Sequence, residues 1–315
     1  MKLVVTGGAG FIGSHIVEEG VRRGFDVTVI DNLHTGKLAF LEPVLDKIHV
    51  IGGDIRDASL LDAEFKDADF VSHHAALRSV PESVKNPQAY NDVNVQGHYN
   101  VLEAARKHDV KCVTFAASSS AYGNSEDLPS KETHLPRPIS PYAVTKVLGE
   151  NYCRMFHELY GLKAVSLRYF NVFGPRQDPA SQYAAAIAIF IRKMLAGEPP
   201  LVFGDGLQTR DFTYVQNNVE ANFLAFGAKT RIGGEVINIC NGKNVVLNDL
   251  LGQLNGILRT NITPTYTVPR PGDVKHTLGD GKKAQDLLDY KEAVSFEEGL
   301  KRTVEWFREG PRRGL

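Results

Sequence analysis

The sequence has few cysteines and no excess charge, and both absences narrow the range of functions. Its 315 residues include three cysteines, Cys112, Cys153 and Cys240, which lie far apart and form no CxxC pair. A disulfide framework and a zinc knuckle are therefore not expected, and a reducing cytoplasm fits this composition best. The formal net charge is -1, so no global field favours nucleic acid or an acidic membrane surface.

Long apolar runs are also missing. No run approaches the ~18 residues that are needed to span a bilayer. Met1 and Lys2 lead directly into LVVTGG, so no cleavable signal peptide is expected. We therefore expect a cytoplasmic protein with no membrane partner, no nucleic-acid partner and no metal site.

The first half of the chain alternates between short apolar segments and segments with helical periodicity. Continuous apolar strands that alternate with helices indicate a parallel sheet with both faces covered. The fold class predicted is α/β, with a doubly wound parallel Rossmann-type sheet. The predicted strands are KLVVTG, DVTVID, KIHVIGGDI, DFVSHHAA, KCVTFAASS and KAVSLRYF, and the predicted helices are 12–24, 57–66, 87–108 and 141–160.

The pattern loosens after about residue 175, where Pro and Gly become frequent. We expect residues 1–174 to form the first domain, with some later segments returning to it. Residues 175–315 are expected to form mainly a smaller lobe of mixed α/β content. Its predicted helices are 183–196, 214–228, 247–259 and 295–308.

A glycine-rich segment, VVTGGAGFIGSH, joins the first predicted strand to the first predicted helix. Gly8, Gly10 and Gly13 satisfy G-x-G-x-x-G, and Gly7 adds a fourth glycine. The pattern provides a tight turn and a helix N-terminus that approaches a pyrophosphate. Asp31 ends the second strand, where a carboxylate accepts hydrogen bonds from an adenosine ribose and repels a 2′-phosphate. NAD is therefore predicted rather than NADP; the alternative is a purely structural turn.

Asp54 and Ile55 end the third predicted strand, in GGDIRD. Asp54 is a candidate acceptor for the adenine amine, and Ile55 is a candidate for packing on the adenine ring. In isolation, a solvated Asp at a strand end is an equally good interpretation. The glycines and Asp31 favour the binding interpretation.

Hydroxyl groups and a Tyr–Lys pair follow the fifth predicted strand. FAASSSAYG closes that strand, and ligands of doubly wound sheets bind beyond the carboxyl ends of the strands. SPYAVTK then begins a helix, with Ser140 as a plausible N-cap and Pro141 in the first turn. Tyr142 and Lys146 are four residues apart and so share one helix face. Such a pair is either ordinary helix surface or a proton-transfer pair.

Electrostatic arithmetic supports proton transfer. A free tyrosine has a pKa near ~10, so a base at neutral pH needs a drop of roughly three units, about 4 kcal/mol. One cation about 5 Å away, at an effective dielectric constant of ~20, provides on the order of 3 kcal/mol. Lys146 is one such cation, and the oxidised nicotinamide ring of NAD is a second. Lys146 is also a candidate to hydrogen-bond the nicotinamide ribose.

Taken together, TGGAGFIG, SSSAYG, YAVTK and RYFNVFGPRQ resemble the extended short-chain dehydrogenase/reductases. Within that family the chain is most similar to the UDP-hexose 4-epimerases, and the resemblance continues through RPGDVKHT. It implies Tyr142 as the base, Lys146 as its electrostatic partner and Ser118 as a hydroxyl on the sugar O4. The family usually has Thr at the last position of NVQGH, where this chain has His98.

The resemblance also implies cofactor and substrate contacts. The further cofactor contacts are Phe11, Ile12, Asn32, Thr35, Gly36, Ala75, Ala76, Arg78, Asn94 and Phe170. The substrate contacts implied, besides Ser118 and Tyr142, are Ser119, Ser120, Asn171, Ala185, Ala186, Leu201, Val202, Phe203, Arg210, Arg270, Asp273 and Thr277. Arg210 and Arg270 suit a diphosphate because a guanidinium offers forked donors. For either Arg alone a surface salt bridge is the better interpretation, but both positions on the family pattern together favour phosphate.

The resemblance implies a reaction as well. Related dehydratases place an acid beside the catalytic hydroxyl, whereas the neighbours of Ser118 here are Ser119, Ser120 and Ala121. The expected activity is therefore reversible C4 epimerisation of a UDP-hexose with tightly bound NAD. Thr277 stands where a bulky Tyr excludes N-acetyl groups in the family, so N-acetylated sugars are expected substrates.

The alternatives are a UDP-glucuronate 4-epimerase or decarboxylase and a non-catalytic NAD-binding regulator. Relatives dimerise through helices near 87–108 and 141–160, so a homodimer is expected.

Overall fold

The computed structural model describes residues 1–179, 186–269 and 274–310. The strands are β1 Lys2–Thr6, β2 Asp26–Asp31, β3 Ile48–Gly52, β4 Phe70–His73, β5 Cys112–Ser118, β6 Ala164–Tyr169, β7 Val172–Phe173, β8 Leu201–Phe203, β9 Thr209–Arg210, β10 Thr213–Tyr214, β11 Val236–Ile239, β12 Val245–Val246 and β13 Thr265–Thr267. The helices are α1 Phe11–Arg22, α2 Ala58–Glu64, α3 Val80–Lys85, α4 Pro87–Asn91, α5 His98–Lys107, α6 Pro141–Tyr160, α7 Ala186–Leu195, α8 Val215–Gly227, α9 Leu247–Leu258, α10 Lys282–Leu288 and α11 Phe296–Glu309.

Seven parallel strands form the central sheet, in the order β11-β6-β5-β4-β1-β2-β3. β6 is buried along its whole length and β1 along all but its first residue, because helices cover both faces. This burial explains why the strands read as continuous apolar runs rather than as alternating ones. The prediction of a doubly wound Rossmann-type α/β fold is confirmed.

The strand order reverses at β1, which pairs with β2 on one side and β4 on the other. The loops that follow β1 and β4 therefore separate and leave a crevice at the carboxyl edge of the sheet. The next strand, β5, ends at Ser118, which lies in register with Tyr169 at the end of β6. The glycine-rich, serine-rich and RYFN segments thus meet at one edge.

Later segments contribute both to the sheet and to a second core. β11 pairs with β6 at the sheet edge, and α8 packs on the sheet through Val219, Phe223 and Phe226. The second core gathers Phe173, Phe212 and Phe296 with the apolar faces of α7, α9 and α11. The chain therefore crosses between the two parts after residue 174 rather than leaving the first part once.

Three further observations bear on the expectations from composition. Cys112, Cys153 and Cys240 are buried and unbridged. Among the described residues, no helix is long and apolar enough to cross a membrane. The predicted helix 87–108 is not one continuous α-helix, because a π-helical segment, Asp92–Gly97, separates α4 from α5.

Candidate active site

The glycine-rich loop after β1 has the close backbone packing that the motif predicts. Gly7 has a φ of +70°, and a Cβ atom there would lie 2.6 Å from the backbone nitrogen of Ala75. A Cβ atom at Gly13 would lie 2.1 Å from the Gly7 carbonyl oxygen. A side chain at Gly13 would push α1 away from the loop after β1, and one at Gly7 would push that loop away from the segment after β4, so the close packing here requires glycine.

The N-terminus of α1 presents unpaired donors to the crevice. Ser14 donates the first helical bond, to the Gly10 carbonyl at 3.0 Å. The N–H groups of Phe11, Ile12 and Gly13 come before that bond and have no helical acceptor. Donors of this kind at a helix N-terminus suit the pyrophosphate of a dinucleotide.

Asp31 lies at the end of β2 and is held in place by the backbone. Its Oδ2 accepts from the Ala9 N–H at 3.0 Å, and its Oδ1 accepts from the Leu33 N–H at 2.8 Å. A Cβ atom at Gly36 would lie 2.8 Å from Oδ1, so the loop closes tightly over this carboxylate. The predicted ribose acceptor is thereby fixed beside the glycine-rich loop.

Asp54 is already engaged by neighbouring side chains. Arg56 contacts both of its carboxylate oxygens at 2.9 Å, and Asn32 donates to Oδ2 at 2.9 Å. The Arg56 hydrogen bond is the main cause of a pKa for Asp54 well below its usual value. Asp54 is therefore charged across the physiological range and is hydrogen-bonded to Asn32, another predicted cofactor residue.

The remaining predicted cofactor residues fall into two groups. The side chains of Ile55 and Phe170 are buried. Ala75 and Ala76 follow β4 and are half-buried, while Thr35 and Arg78 are exposed.

Asn94 lies in the π-helical segment and bridges two elements. Its amide nitrogen donates to the Leu77 carbonyl at 2.9 Å and to the Thr145 hydroxyl at 3.1 Å. Its oxygen accepts from the Leu77 N–H at 2.8 Å. The side chain therefore joins the loop after β4 to α6, one residue before Lys146.

The serine-rich turn after β5 is organised around Ser118. Its hydroxyl accepts from the Ser120 N–H at 3.2 Å and from the Ser120 hydroxyl at 2.9 Å. Ser140 then caps α6 by accepting from the Ala143 N–H at 3.2 Å, as its position before Pro141 predicts. The cap fixes the first turn of α6, which carries Tyr142, beside the end of β5.

Lys146 is buried one turn after Tyr142. Its Nζ donates to the Ala116 carbonyl at 2.7 Å and lies 4.8 Å from the centre of the Phe115 ring and 5.9 Å from that of Tyr142. Burial lowers the pKa of Lys146 to about 8, an effect that Glu150 opposes. The ammonium group is therefore charged at neutral pH and is anchored to the strand that carries Ser118.

Tyr142 departs from the sequence-based expectation in one respect. Burial raises the pKa of the phenol above its usual value, against which the Ser118 hydroxyl and the Arg78 charge act. The downward tuning that the arithmetic assigned to Lys146 is therefore not found in the protein by itself. The arithmetic omitted the loss of solvation, which penalises a buried phenolate.

Asn171, two residues after β6, is in contact with Thr277. The Asn171 amide donates to the Thr277 hydroxyl at 3.1 Å and to the Asp211 carbonyl at 2.8 Å. Arg210, next to Asp211, donates to the carbonyls of Thr209 and Lys275. Two predicted substrate residues, far apart in sequence, are thus in direct contact.

The other predicted substrate residues are less centrally placed. Ala186 begins α7 and is half-buried. In β8, Val202 is buried in the second core and Leu201 is 45% exposed. Ala185, Arg270 and Asp273 lie outside the described residues.

Comparison with known proteins identifies the family of the chain. The model of the NAD dependent epimerase/dehydratase family matches residues 3–240. The chain belongs to that family. A solved UDP-N-acetylglucosamine 4-epimerase from Methanobrevibacter ruminantium, in complex with UDP-N-acetylmuramic acid, is 43% identical, with a TM-score of 0.94 over 98% of both chains.

Two other solved members of the family are similar over almost their whole length. A UDP-glucose 4-epimerase from Thermotoga maritima, with UDP-glucose, is 40% identical, with a TM-score of 0.93 over 99% of this chain and 100% of that one. A Thermus thermophilus UDP-glucose 4-epimerase in complex with NAD is 37% identical, with a TM-score of 0.88 over 98% and 99% of the two chains. NAD is the cofactor of this family, and the tight glycine loop and the fixed Asp31 carboxylate fit it.

A buried network of polar side chains beside α6 was not predicted from the sequence. Glu150 forms a buried bidentate ion pair with Arg168 at 2.7 Å, and Arg168 lies 4.6 Å from the centre of the Tyr122 ring. The Tyr122 hydroxyl donates to Asn238 at 2.7 Å. These contacts join the middle of α6 to β6, to the turn after β5 and to β11, and the separation of the residues in the chain left no local signal.

His98, at the position where the family usually has Thr, is fully buried beneath the site. Its ring centre lies 4.2 Å from that of Phe115 and 5.1 Å from that of His73. Its Nε2 donates to the Gly149 carbonyl at 3.2 Å. The imidazole therefore packs under the ring on which Lys146 rests, and it connects α5 to α6.

Proposed function

We propose that the protein is an NAD-dependent UDP-hexose 4-epimerase that accepts UDP-N-acetylglucosamine and UDP-N-acetylgalactosamine, and also UDP-glucose and UDP-galactose. The observation that carries the proposal is the meeting of Ser118, Tyr142 and Lys146 at the carboxyl edge of the sheet. The turn beside Ser118 holds Ser119, Ser120 and Ala121, and no acid that would drive an elimination. The similar epimerases with solved structures support the choice of a UDP-sugar.

The proposed mechanism assigns one task to each of the three side chains. Tyr142 accepts the proton of the sugar C4 hydroxyl as the C4 hydrogen leaves as hydride. After the 4-keto sugar has rotated, the hydride is returned to the opposite face of C4 and Tyr142 returns the proton to the C4 oxygen. Bound NAD supplies the hydride acceptor and a second positive charge near the phenol. Lys146 stabilises the phenolate form of Tyr142, and Ser118 hydrogen-bonds the reacting oxygen. Charge stabilisation inside a dry site is worth far more than in water.

The substrate range is supported by the residue at position 277. Thr277 is small, and a bulky side chain at this position would reduce the room for an acetamido group. The diphosphate is assigned to Arg210 and Arg270 and the uridine to the β8 backbone and Asp273. These assignments follow the family pattern and remain part of the proposal.

A panel of UDP-sugars tests the proposed function. The purified protein is given UDP-glucose, UDP-galactose and their two N-acetylated counterparts, and C4 inversion is followed by NMR. We expect inversion of the N-acetylated pair with no net consumption of NAD. UDP-glucuronate is included because turnover of that sugar alone would favour the uronate alternative. Release of a 4-keto-6-deoxy sugar, without inversion of any hexose, would contradict the proposal.

We also propose that the protein is a homodimer that pairs through α4 and α6. Pro87, Pro141, Val144 and Leu148 line an open, largely apolar groove of about 450 Å³ on this face, and Val144 is 43% exposed. Phe156, by contrast, belongs to the core, so the proposed dimer interface follows the outer face of α6. Sedimentation velocity is expected to give a dimer that Val144→Glu together with Leu148→Glu dissociates. A monomeric wild-type protein would contradict this proposal.

A further inference from the structure

The buried ion pair between Glu150 and Arg168 lies close to Lys146. Lys146 and Glu150 are one turn apart on α6, and residues at this spacing share one helix face. Both side chains are buried, with exposed fractions of 4% and 5%. Lys146 donates to the carbonyl of Ala116 on β5. Arg168 lies on β6, in register with Ala117, the next residue of β5. Two cations and one carboxylate are therefore gathered where α6 packs on β5 and β6.

The Glu150 carboxylate is held by Arg168 rather than by Lys146. Its Oε1 accepts from Arg168 Nε and its Oε2 accepts from Arg168 Nη2, both at 2.7 Å. Among the described residues, Arg168 Nη1 has no hydrogen-bond partner, and the ion pair of this guanidinium is with Glu150. Because both carboxylate oxygens are occupied, Glu150 stays where α6 and Arg168 place it. Within the described part of the chain, Lys146 Nζ donates to Ala116 alone.

Glu150 is the anion that acts on Lys146. Burial lowers the pKa of Lys146 to about 8, and Glu150 acts in the opposite direction. The other described ionisable groups that face Lys146 carry no negative charge at neutral pH. They are His73 of β4, His74 after β4 and His98 of α5, whose pKa values burial places far below neutrality, and Tyr142 of α6, whose pKa burial raises.

Arg168 would act against Lys146 if its own charge were not balanced. A guanidinium remains charged at every pH at which a protein is folded, and a like charge nearby disfavours the charged form of an amine. The bidentate pair cancels most of this charge. Glu150 therefore helps Lys146 in two ways, by attracting the ammonium group directly and by neutralising the cation on β6.

We propose that Glu150 is a positioning residue that keeps the Lys146 ammonium group charged without binding it, while Arg168 holds the Glu150 carboxylate in place. Lys146 stabilises the phenolate of Tyr142 only while it is charged, so Glu150 acts on the reaction through two other side chains. The inference rests on the proposed function for the roles of Tyr142 and Lys146. It adds an ion pair outside the predicted cofactor and substrate residues to the groups that set the working pH of the site.

Glu150→Gln tests the proposal because it removes the negative charge and keeps the size of the side chain. The titration of Lys146 is followed by NMR on NAD-loaded protein that is isotopically labelled at lysine Cε, and its signal is identified by its absence from Lys146→Arg. We expect the midpoint to fall by about one pH unit, the effect of one charge about 10 Å away inside a protein.

The kinetics of Glu150→Gln should change in the same way. In the proposed mechanism, kcat rises with pH until Lys146 loses its charge. The pH at which the rise ends should therefore fall with the Lys146 midpoint, which makes kcat about five-fold lower near pH ~8 and almost unchanged near pH ~6.5. KM for UDP-sugar should stay close to that of the wild type.

A double variant separates this role from the loss of a buried ion pair. Glu150→Gln leaves Arg168 buried without its anion, which lowers stability, whereas replacing both members of a buried pair with apolar residues is often tolerated. In Glu150→Met with Arg168→Met, the Lys146 midpoint should still fall, by less than in Glu150→Gln because the opposing Arg168 charge is also gone. A midpoint equal to or above that of the wild type in the double variant would overturn the inference, because the pair would then be only structural.

Glu103→Gln is the matched control. Glu103 forms a similar bidentate pair with Arg106, on the exposed surface of α5. The variant should leave the Lys146 midpoint and kcat unchanged, and a shift as large as that of Glu150→Gln would contradict the proposal. Absence of C4 inversion by the wild-type protein would instead reject the proposed function, and the titration of Lys146 would still report on Glu150.

Discussion

Replacing Tyr142 with phenylalanine is expected to lower kcat for C4 inversion by about a hundred- to ten-thousand-fold, the range over which a positioned acid–base group contributes. The substitution removes only the phenol oxygen, so the ring remains beside Lys146 and the site keeps its shape. The affinity for UDP-sugar should therefore remain close to that of the wild type. Steady-state NMR kinetics and calorimetry measure the two quantities separately.

The pH dependence gives this experiment a second readout. Burial raises the pKa of Tyr142, so the fraction of phenolate at neutral pH is small and kcat of the wild type should increase with pH. Lys146, with a pKa lowered to about 8, loses its charge above that pH, which limits the increase. The rising limb should be missing from the residual activity of Tyr142→Phe.

A control on the same helix excludes a general effect of losing a hydroxyl. Tyr152 lies ten residues further along α6 and packs edge-to-face with Tyr99. Tyr152→Phe is expected to leave kcat unchanged. If Tyr142→Phe retained wild-type kcat, Tyr142 would not be the base, and the assignment of the Tyr–Lys pair would fail.

The parts of the site that sequence reasoning predicted are those encoded over short stretches. The glycine loop, Asp31 and the Tyr142–Lys146 pair each lie within one strand–helix junction or one helical turn. Their side chains are placed by local geometry: a strand end, a cap at Ser140 and a four-residue spacing. The positions of the strands and helices could be predicted for the same reason, because hydrophobic periodicity is a local signal.

The parts that were not predicted depend on distant contacts. Asp211 organises the region of Thr277 by accepting from N–H groups 30 to 68 residues away. Lys146 donates to Ala116 across 30 residues. The desolvation that raises the pKa of Tyr142 depends on how every surrounding element packs. No spacing in the sequence reports these distances.

Buried histidines lead to the second large expected effect, a steep loss of stability in mild acid. Burial lowers the pKa of His15, His74 and His98 to about 3, and that of His73 well below its usual value. Their pKa in the unfolded chain is near ~6.5. Below that pH the unfolded chain binds protons that the folded protein does not, so the free energy of unfolding falls as the pH falls.

The size of the effect follows from the number of protons. Each of the four histidines lowers the free energy of unfolding by about 1.4 kcal/mol for every pH unit of acidification, once that histidine is protonated in the unfolded chain. Asp211 offsets one of the four histidine protons. Burial raises its pKa to about 6, so on acidification the folded protein binds a proton at Asp211 before the unfolded chain does. Three net protons give about 4 kcal/mol per pH unit between pH 5.5 and 4, which is a large part of a typical folding free energy of about 5–15 kcal/mol.

His98→Thr isolates one of these protons. Urea unfolding at a series of pH values, with NAD held in constant excess, should show a slope that is smaller by about 1.4 kcal/mol per pH unit than in the wild type. The cavity left beside Phe115 lowers stability at every pH by a constant amount, so the slope is unaffected by that loss. His34→Thr, at an exposed site, should leave the slope unchanged. An unchanged slope in His98→Thr would mean that the folded protein protonates His98, which would require the stack of His73, His98 and Phe115 to open in acid.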